Sequence, residues 1–246
     1  MKVLIQNNLS KKILIWYDKN KRELPWRKSK KNLDPYQTWI SEIMLQQTTV
    51  EAVIPFFHKF INKWPTINKL SESKVEDVMD AWSGLGYYSR AKNMHKTAKI
   101  IKKHHNNQIP DEYEELIKLP GIGPYTAGAI LTIAFNKKAS VIDSNIERII
   151  LRIFGIKEPK ERVKKELIKI SEDLCPEKRS GDYVQAMMDL GSAICKAKNP
   201  LCDSCPIQKF CFSYAKGLTD SIPAKKMTKP KKIREANLFW MVSNQN

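Results

Sequence analysis

The chain has 246 residues, 42% of them apolar, a formal net charge of +17 and a pI near 9.6. That length buries a full core as one large domain or two small ones, and that apolar share excludes wholesale disorder. No stretch approaches the roughly eighteen apolar residues of a membrane span, and the opening MKVLIQNNLSKK is too briefly apolar for a signal peptide, so a soluble, cytoplasmic protein with reduced thiols is expected.

In chain order, Asp34-Pro35 opens a helical segment with Trp39, Ile40, Ile43, Met44 and Gln47 on one face. Residues 74–82, 89–105 and 111–119 read as further helices, punctuated by Pro65, Gly84, Gly86 and Pro110. A hairpin, Leu119-Pro120-Gly121-Ile122-Gly123-Pro124, leads into an apolar helix over 125–135. A strand-like run covers 139–142. Helices follow over 145–154, 161–174 and 181–194, the last with Tyr183, Met187, Leu190 and Ile194 in register. Residues 222–234 have the composition of a linker, and 238–246 begin a strand-like pattern. With no internal repeat and helical periodicity throughout, the expectation is an all-α protein of two lobes.

The charge has two readings. Lys (35) greatly outnumbers Arg (8), as compositional drift alone would produce. The lysines nevertheless concentrate in 19-KNKRELPWRKSKK-31 and 225-KKMTKPKKIR-234, which favours an acidic polymer as partner, nucleic acid before membrane.

Four features carry chemistry. In the hairpin, Gly121 and Gly123 permit positive φ and close backbone approach, and Pro124 presets the first turn of a helix whose free N–H groups suit a DNA phosphate. An ordinary αα-hairpin is the competing reading, against which stand the small residues of 125-YTAGAI-130. Glu42 is the only charged residue from Tyr36 to Val50. Desolvated on such a helix it would be a general acid; on the helix's polar edge it would be ordinary. Asp143 precedes a helix and would serve as its N-cap, unless Ser144 with Glu147 forms a capping box. A buried acid and an ionised carboxylate are also the pair that glycosidic cleavage requires. Lastly, Cys195, Cys202, Cys205 and Cys211 follow C-x6-C-x2-C-x5-C, more consistent with a four-thiolate metal site than with two disulfides. Zinc sites usually hold two separated C-x2-C pairs and this chain has one; Cys175 reads as a structural thiol.

The segments 41-SEIMLQQTTVEAVIPFF-57, 81-AWSGLGYYSRAKN-93, 119-LPGIGPYTAGAI-130 and 141-VIDSNIERI-149, with the cysteine spacing, resemble the MutY-type adenine DNA glycosylases of the helix-hairpin-helix superfamily. The resemblance runs from about residue 8 to 240. It implies an iron–sulfur lobe from residues 1–28 and 137–222 and a six-helix barrel from 29–136, with the helix-hairpin-helix at 116–135 and the catalytic cleft between the lobes. It implies a [4Fe-4S] cluster on the four cysteines and a monomer acting on double-stranded DNA with A:8-oxoguanine or A:G mispairs, nucleoid-associated in the cytoplasm.

By the same resemblance Glu42 protonates adenine and Asp143 stabilises or attacks the sugar cation. Asn145 is retained beside it, while Ser144 stands where the family has Gly. Tyr125 stands where lyases resembling endonuclease III carry the Schiff-base Lys, so base removal without strand nicking is implied. Gln47 and Tyr87 correspond to residues that wedge into the duplex, and Leu24, Trp26, Arg27 and Gln185 to positions around the adenine. Residues 223–246 correspond to a linker and the truncated start of a Nudix-like domain, with reduced 8-oxoguanine discrimination as the consequence. Two alternatives stay open. One is another enzyme of the superfamily, a thymine mismatch or endonuclease III-like glycosylase; the other is a non-catalytic DNA-binding fragment. Tyr125 argues against the lyase. Gln46-Gln47, GLGYYSRA and Gln185 resemble the adenine enzymes.

Overall fold

The computed structural model describes residues 2–27, 33–224 and 238–240. Its helices are α1 Lys2–Asn20, α2 Pro35–Leu45, α3 Val50–Lys63, α4 Ile67–Glu72, α5 Val75–Ala81, α6 Ser89–His104, α7 Tyr113–Leu116, α8 Pro124–Ile133, α9 Ser144–Phe154, α10 Lys160–Leu174, α11 Ser180–Ala193 and α12 Phe212–Ala215. Among the described residues there is no strand, so the all-α expectation holds. No helix among them is long and apolar enough to cross a membrane.

Local chemistry sets the helix starts. Asp34 caps α2 by accepting from Tyr36 N at 2.9 Å, with Pro35 in the first turn, and Thr49 and Thr66 cap α3 and α4 in the same way. The apolar faces then collect into two cores. One joins Leu24 and Trp26 to α2–α8, around Trp39, Phe60 and Trp82. The other joins Leu9, Ile13 and Tyr17 of α1 to α9–α11 and the chain beyond. Helix α8 lies between them: Ala127 and Ile130 belong to the first core and Ala129 to the second. Its packing is close. A Cβ on Gly128 would lie 2.3 Å from the Ser140 carbonyl oxygen, so only glycine admits the segment that delivers Asp143.

The structure departs from the sequence reading in several places. α1, α3 and α4 are helices that periodicity did not single out; α3 contains Pro55, a residue that ordinarily interrupts the pattern. The helix expected over 111–119 is helical only as α7. The run 139–142 is not a strand, because no neighbouring strand pairs with it. Instead the Ser171 hydroxyl of α10 donates to the Val141 carbonyl at 2.9 Å and accepts from Val141 N at 3.3 Å. Residues 225–234 of the expected linker and 241–246 of the expected terminal strand lie outside the described residues, and Leu238–Trp240 form no strand.

Candidate active site

Glu42 and Asp143 line one cleft of about 630 Å³, together with Tyr125, Asn145, Leu24, Trp26, Arg27, Gln47 and Gln185. Its walls come from α2 and the residues before it on one side, and from the starts of α8 and α9 and from α11 on the other. Chain folding thus assembles residues 24 to 185 around a volume of the size that takes a small planar ligand.

Glu42 sits on the inner face of α2, 6% exposed, and Tyr125 Oη donates to its Oε2 at 2.9 Å. Burial raises its carboxyl from 4.5 to about 7, opposed by the Tyr125 hydrogen bond. The Asp143 charge raises it further and Arg27 lowers it. Glu42 is therefore a carboxylic acid that holds its proton to near-neutral pH, as a general acid must. Burial and the neighbouring carboxylates hold the Tyr125 hydroxyl far above its ordinary range, so it stays a neutral donor.

Asp143, not Ser144, is the N-cap of α9: its Oδ1 accepts from Asn145 N at 3.0 Å and Ile146 N at 2.7 Å. Its Oδ2 accepts from Asn145 Nδ2 at 3.0 Å. Asn145 Oδ1 in turn accepts from Arg148 Nη2 at 2.8 Å, and Arg148 Nε donates to the Cys195 carbonyl at 2.7 Å. The carboxylate is oriented by three donors and linked through two side chains to the cysteine segment.

Leu24 and Trp26 are buried, and Trp26 meets Phe57 edge-on at 5.3 Å. Gln185 is buried on α11, its Nε2 donating to the Gly181 carbonyl at 3.2 Å. Arg27 is held by Asp189, which the sequence reading missed. Arg27 Nη1 and Nη2 reach the Asp189 carboxylate at 2.8 and 3.2 Å, and Arg22 Nε reaches it at 2.7 Å. Asp189 is 1% exposed in the apolar run AMMDLG, the same signal that drew attention to Glu42.

Tyr87, Gly121 and Gly123 lie outside this cleft. Gln47 reaches both the cleft and a smaller recess of about 230 Å³ that Tyr87 and Gly121 line. Gly121 has φ +81° and a Cβ there would lie 2.9 Å from Asn93 Cβ, so both expected reasons for glycine apply. Gly123 corrects the expectation: its φ is −96°, and a Cβ would meet nothing within 4 Å. It caps α8 beside open space, with no side chain satisfying the helix's first N–H groups.

The four cysteines follow α11. Cys195 comes just after the helix, Cys202 opens a 3₁₀ turn, Cys205 closes it and Cys211 caps α12. Each of Cys202, Cys205 and Cys211 feels the charge of Cys195, which brings the four thiols into one neighbourhood. Arg152 Nη1 lies 3.3 Å from Cys195 Sγ and donates to the Lys196 carbonyl at 2.7 Å, fixing that loop on α9. Burial and mutual repulsion push the thiols of Cys202, Cys205 and Cys211 up, a cost that a bound cationic centre would relieve. Four cysteine thiols in one neighbourhood are the donor set that a [4Fe-4S] cluster takes.

The family described as HhH-GPD superfamily base excision DNA repair protein matches residues 40–173. The iron–sulfur binding domain of endonuclease III matches 195–211, from the first of the four cysteines to the last. Over 96% of its length the chain is 43% identical to the adenine DNA glycosylase of Buchnera aphidicola subsp. Acyrthosiphon pisum (strain APS), spanning 69% of that relative. Among solved structures it is similar to a thermostable thymine-DNA glycosylase, with a TM-score of 0.77 and 28% identity over 86% of this chain and 97% of that one. It shares its fold with endonuclease III in a non-covalent DNA complex, with a TM-score of 0.68 and 24% identity over 86% and 96% of the two chains. The chain belongs to the HhH-GPD superfamily of base excision DNA repair proteins and, within it, to the adenine DNA glycosylases, DNA-acting enzymes with a [4Fe-4S] cluster.

Proposed function

We propose that this chain, as a monomer on nucleoid DNA, removes adenine mispaired with 8-oxoguanine or guanine and leaves the strand intact. A cleft of about 630 Å³ excludes a duplex and admits one nucleotide, so the adenine leaves the stack to react. Glu42, still partly protonated near pH 7, gives its proton to the adenine as the N-glycosidic bond breaks. Asp143, fixed by Asn145 and the start of α9, places a carboxylate beside the oxocarbenium-like sugar. Tyr125 offers no amine, so no Schiff base forms and the product is an abasic site. Leu24, Trp26, Arg27 and Gln185 surround the base, while Gln47 and Tyr87 fill the space it leaves. The open N-terminus of α8 at Gly123 takes a phosphate.

The proposed lobes are 1–28 with 137–222, and 29–136 with the helix-hairpin-helix at 116–135. Residues 223–246 are proposed as a linker and a further element. Cys195, Cys202, Cys205 and Cys211 would hold the [4Fe-4S] cluster, which supplies a fixed centre for the loop that Arg148 and Arg152 grip. The observation carrying the reading is that a protonatable Glu42 and a thrice-held Asp143 share one cleft, with no lysine among the described residues that line it.

The likeness to a thymine-DNA glycosylase supports a second reading, thymine release from G:T. Single-turnover excision on A:8-oxoguanine, A:G and G:T duplexes separates the two. Adenine release from the first two supports the proposal. Thymine release without adenine release overturns it.

A further inference from the structure

Arg90 is 8% exposed, and its guanidinium is held by carbonyl and hydroxyl oxygens. Nη1 donates to the carbonyls of Ile43 at 3.0 Å and Met44 at 2.8 Å, and to that of Gln46. Nη2 donates to the Leu85 and Gly86 carbonyls, both at 3.1 Å, and to Thr48 Oγ1 at 3.2 Å. One side chain thus fastens the end of α2 to the turn before α6. The four Nη hydrogens of a planar fork share these six acceptors, with Nε left unpartnered; an ammonium has three hydrogens and no such plane.

Two residues stand at these anchor points. Gln47 lies between Gln46 and Thr48, and Tyr87 follows Gly86. Both are non-glycine residues with positive φ, +58° and +48°, and both are exposed. Such backbones persist only where the surroundings over-determine them. Here the same guanidinium does so for both, and its carbon also lies 5.6 Å from the Tyr87 ring centroid and 5.3 Å from that of Trp82. Trp82 Nε1 adds a bond to the Gly86 carbonyl at 3.1 Å. Between the two projecting side chains is the recess of about 230 Å³, with Arg90 in its lining.

We propose that Arg90 is a positioning residue for base extrusion, holding Gln47 and Tyr87 at a fixed separation so that the two side chains enter the duplex together. The proposal rests on the reading of those two as wedges. It separates extrusion from chemistry: Arg90 governs how fast the adenine leaves the stack, while Glu42 governs the bond.

The test uses the full chain and Arg90→Lys, which keeps the charge and loses the fork. Stopped-flow fluorescence of 2-aminopurine beside the adenine follows extrusion. Single-turnover release is measured from adenine opposite guanine and from adenine opposite an abasic-site analogue, where extrusion costs least. Extrusion and release from A:G should slow at least about tenfold, with release from the unpaired adenine slowed less than about threefold. Equal slowing on both substrates, the mark of a merely structural role, overturns the proposal, as does no slowing at all. If Arg90→Lys does not fold, Thr48→Val removes one Arg90 acceptor and the 3.4 Å bond that Thr48 donates to the Gln46 carbonyl, while keeping the side chain's shape. Extrusion should then slow about threefold with the melting temperature unchanged, and an unchanged rate overturns the proposal. Gln47→Ala and Tyr87→Ala identify which reading fails. If they extrude adenine at the parent rate, the wedge reading falls and takes this one with it; if they are slow while Arg90→Lys is not, only the role of Arg90 falls.

Discussion

Tyr125 Oη donates to Glu42 Oε2 at 2.9 Å, joining the second residue of α8 to the inner face of α2. The bond opposes the larger effect of burial on the Glu42 carboxyl and settles it at about 7 instead of higher. The residue at position 125 therefore does two things. It brings no amine to the cleft, and it lowers the carboxyl that is proposed as the acid.

Glu42→Gln is expected to abolish excision while leaving DNA binding within about threefold, and to change stability in a pH-dependent way. The native carboxyl, at about 7, holds its proton more tightly than the unfolded one at 4.5. Its contribution is therefore fully present below pH 4.5 and is lost as pH rises to about 7. A glutamine has no such loss. The variant should exceed the parent by on the order of 3 kcal/mol at about pH 8 and match it at about pH 4, read by denaturant melts.

Replacing the tyrosine probes both of its roles. Tyr125→Phe removes the hydrogen bond that lowers the Glu42 carboxyl, so the pH at which excision declines should move upward. Tyr125→Lys puts an amine beside both carboxylates. It should introduce strand nicking and a borohydride-trappable adduct on abasic product, and a gel showing neither would contradict the placement of this side chain at the sugar.

Asp189→Asn leaves Arg22 and Arg27 without their shared carboxylate at a site 1% exposed. Breaking one partner of a buried pair costs roughly 3–5 kcal/mol, less here because Arg22 is partly exposed. Chemical denaturation should show about 2 kcal/mol or more lost, and adenine release at low enzyme concentration should fall more than at saturation.

Loss of iron should act at a distance from the bond. Arg148 and Arg152, one turn apart on α9, hold the Cys195 carbonyl, the Cys195 thiol and the Lys196 carbonyl, and Arg148 also holds Asn145. Cys205→Ser should lose the visible absorbance of the cluster, weaken DNA binding at least about tenfold and lower the melting temperature. Full binding without the chromophore would contradict a structural role for the cluster.

The cysteine cluster was legible as four thiols in one window, while Glu42 in an apolar helix and Asp143 or Ser144 at a helix start were legible only as alternatives, between which burial and the cap geometry decide. Apart from Arg27, which the resemblance placed at the adenine, the arginines were not read, although the signal was there. In a chain with 35 Lys, each of 8 Arg stands out. Arg22, Arg27, Arg90, Arg148, Arg152 and Arg179 all make several directed hydrogen bonds that a point charge could not. Arg22, Arg27 and Arg179 bind carboxylates and Arg90, Arg148 and Arg152 mostly carbonyls, many of them far along the chain, which no local pattern reveals. Gly123 was misread for the opposite reason: two glycines in one turn look alike in sequence, and only Gly121 has a neighbour and a positive φ that require it. α3 was passed over because Pro55 interrupts the stripe that Val53, Phe57 and Phe60 form.

The most direct measurement is the pH profile of single-turnover adenine release from an A:8-oxoguanine duplex. With Glu42 as the acid, the rate should hold below about pH 6 and fall roughly tenfold for each pH unit well above 7, with Glu42→Gln inactive throughout. A profile flat from about pH 5 to about pH 9, or a Glu42→Gln enzyme that still releases adenine, would contradict it.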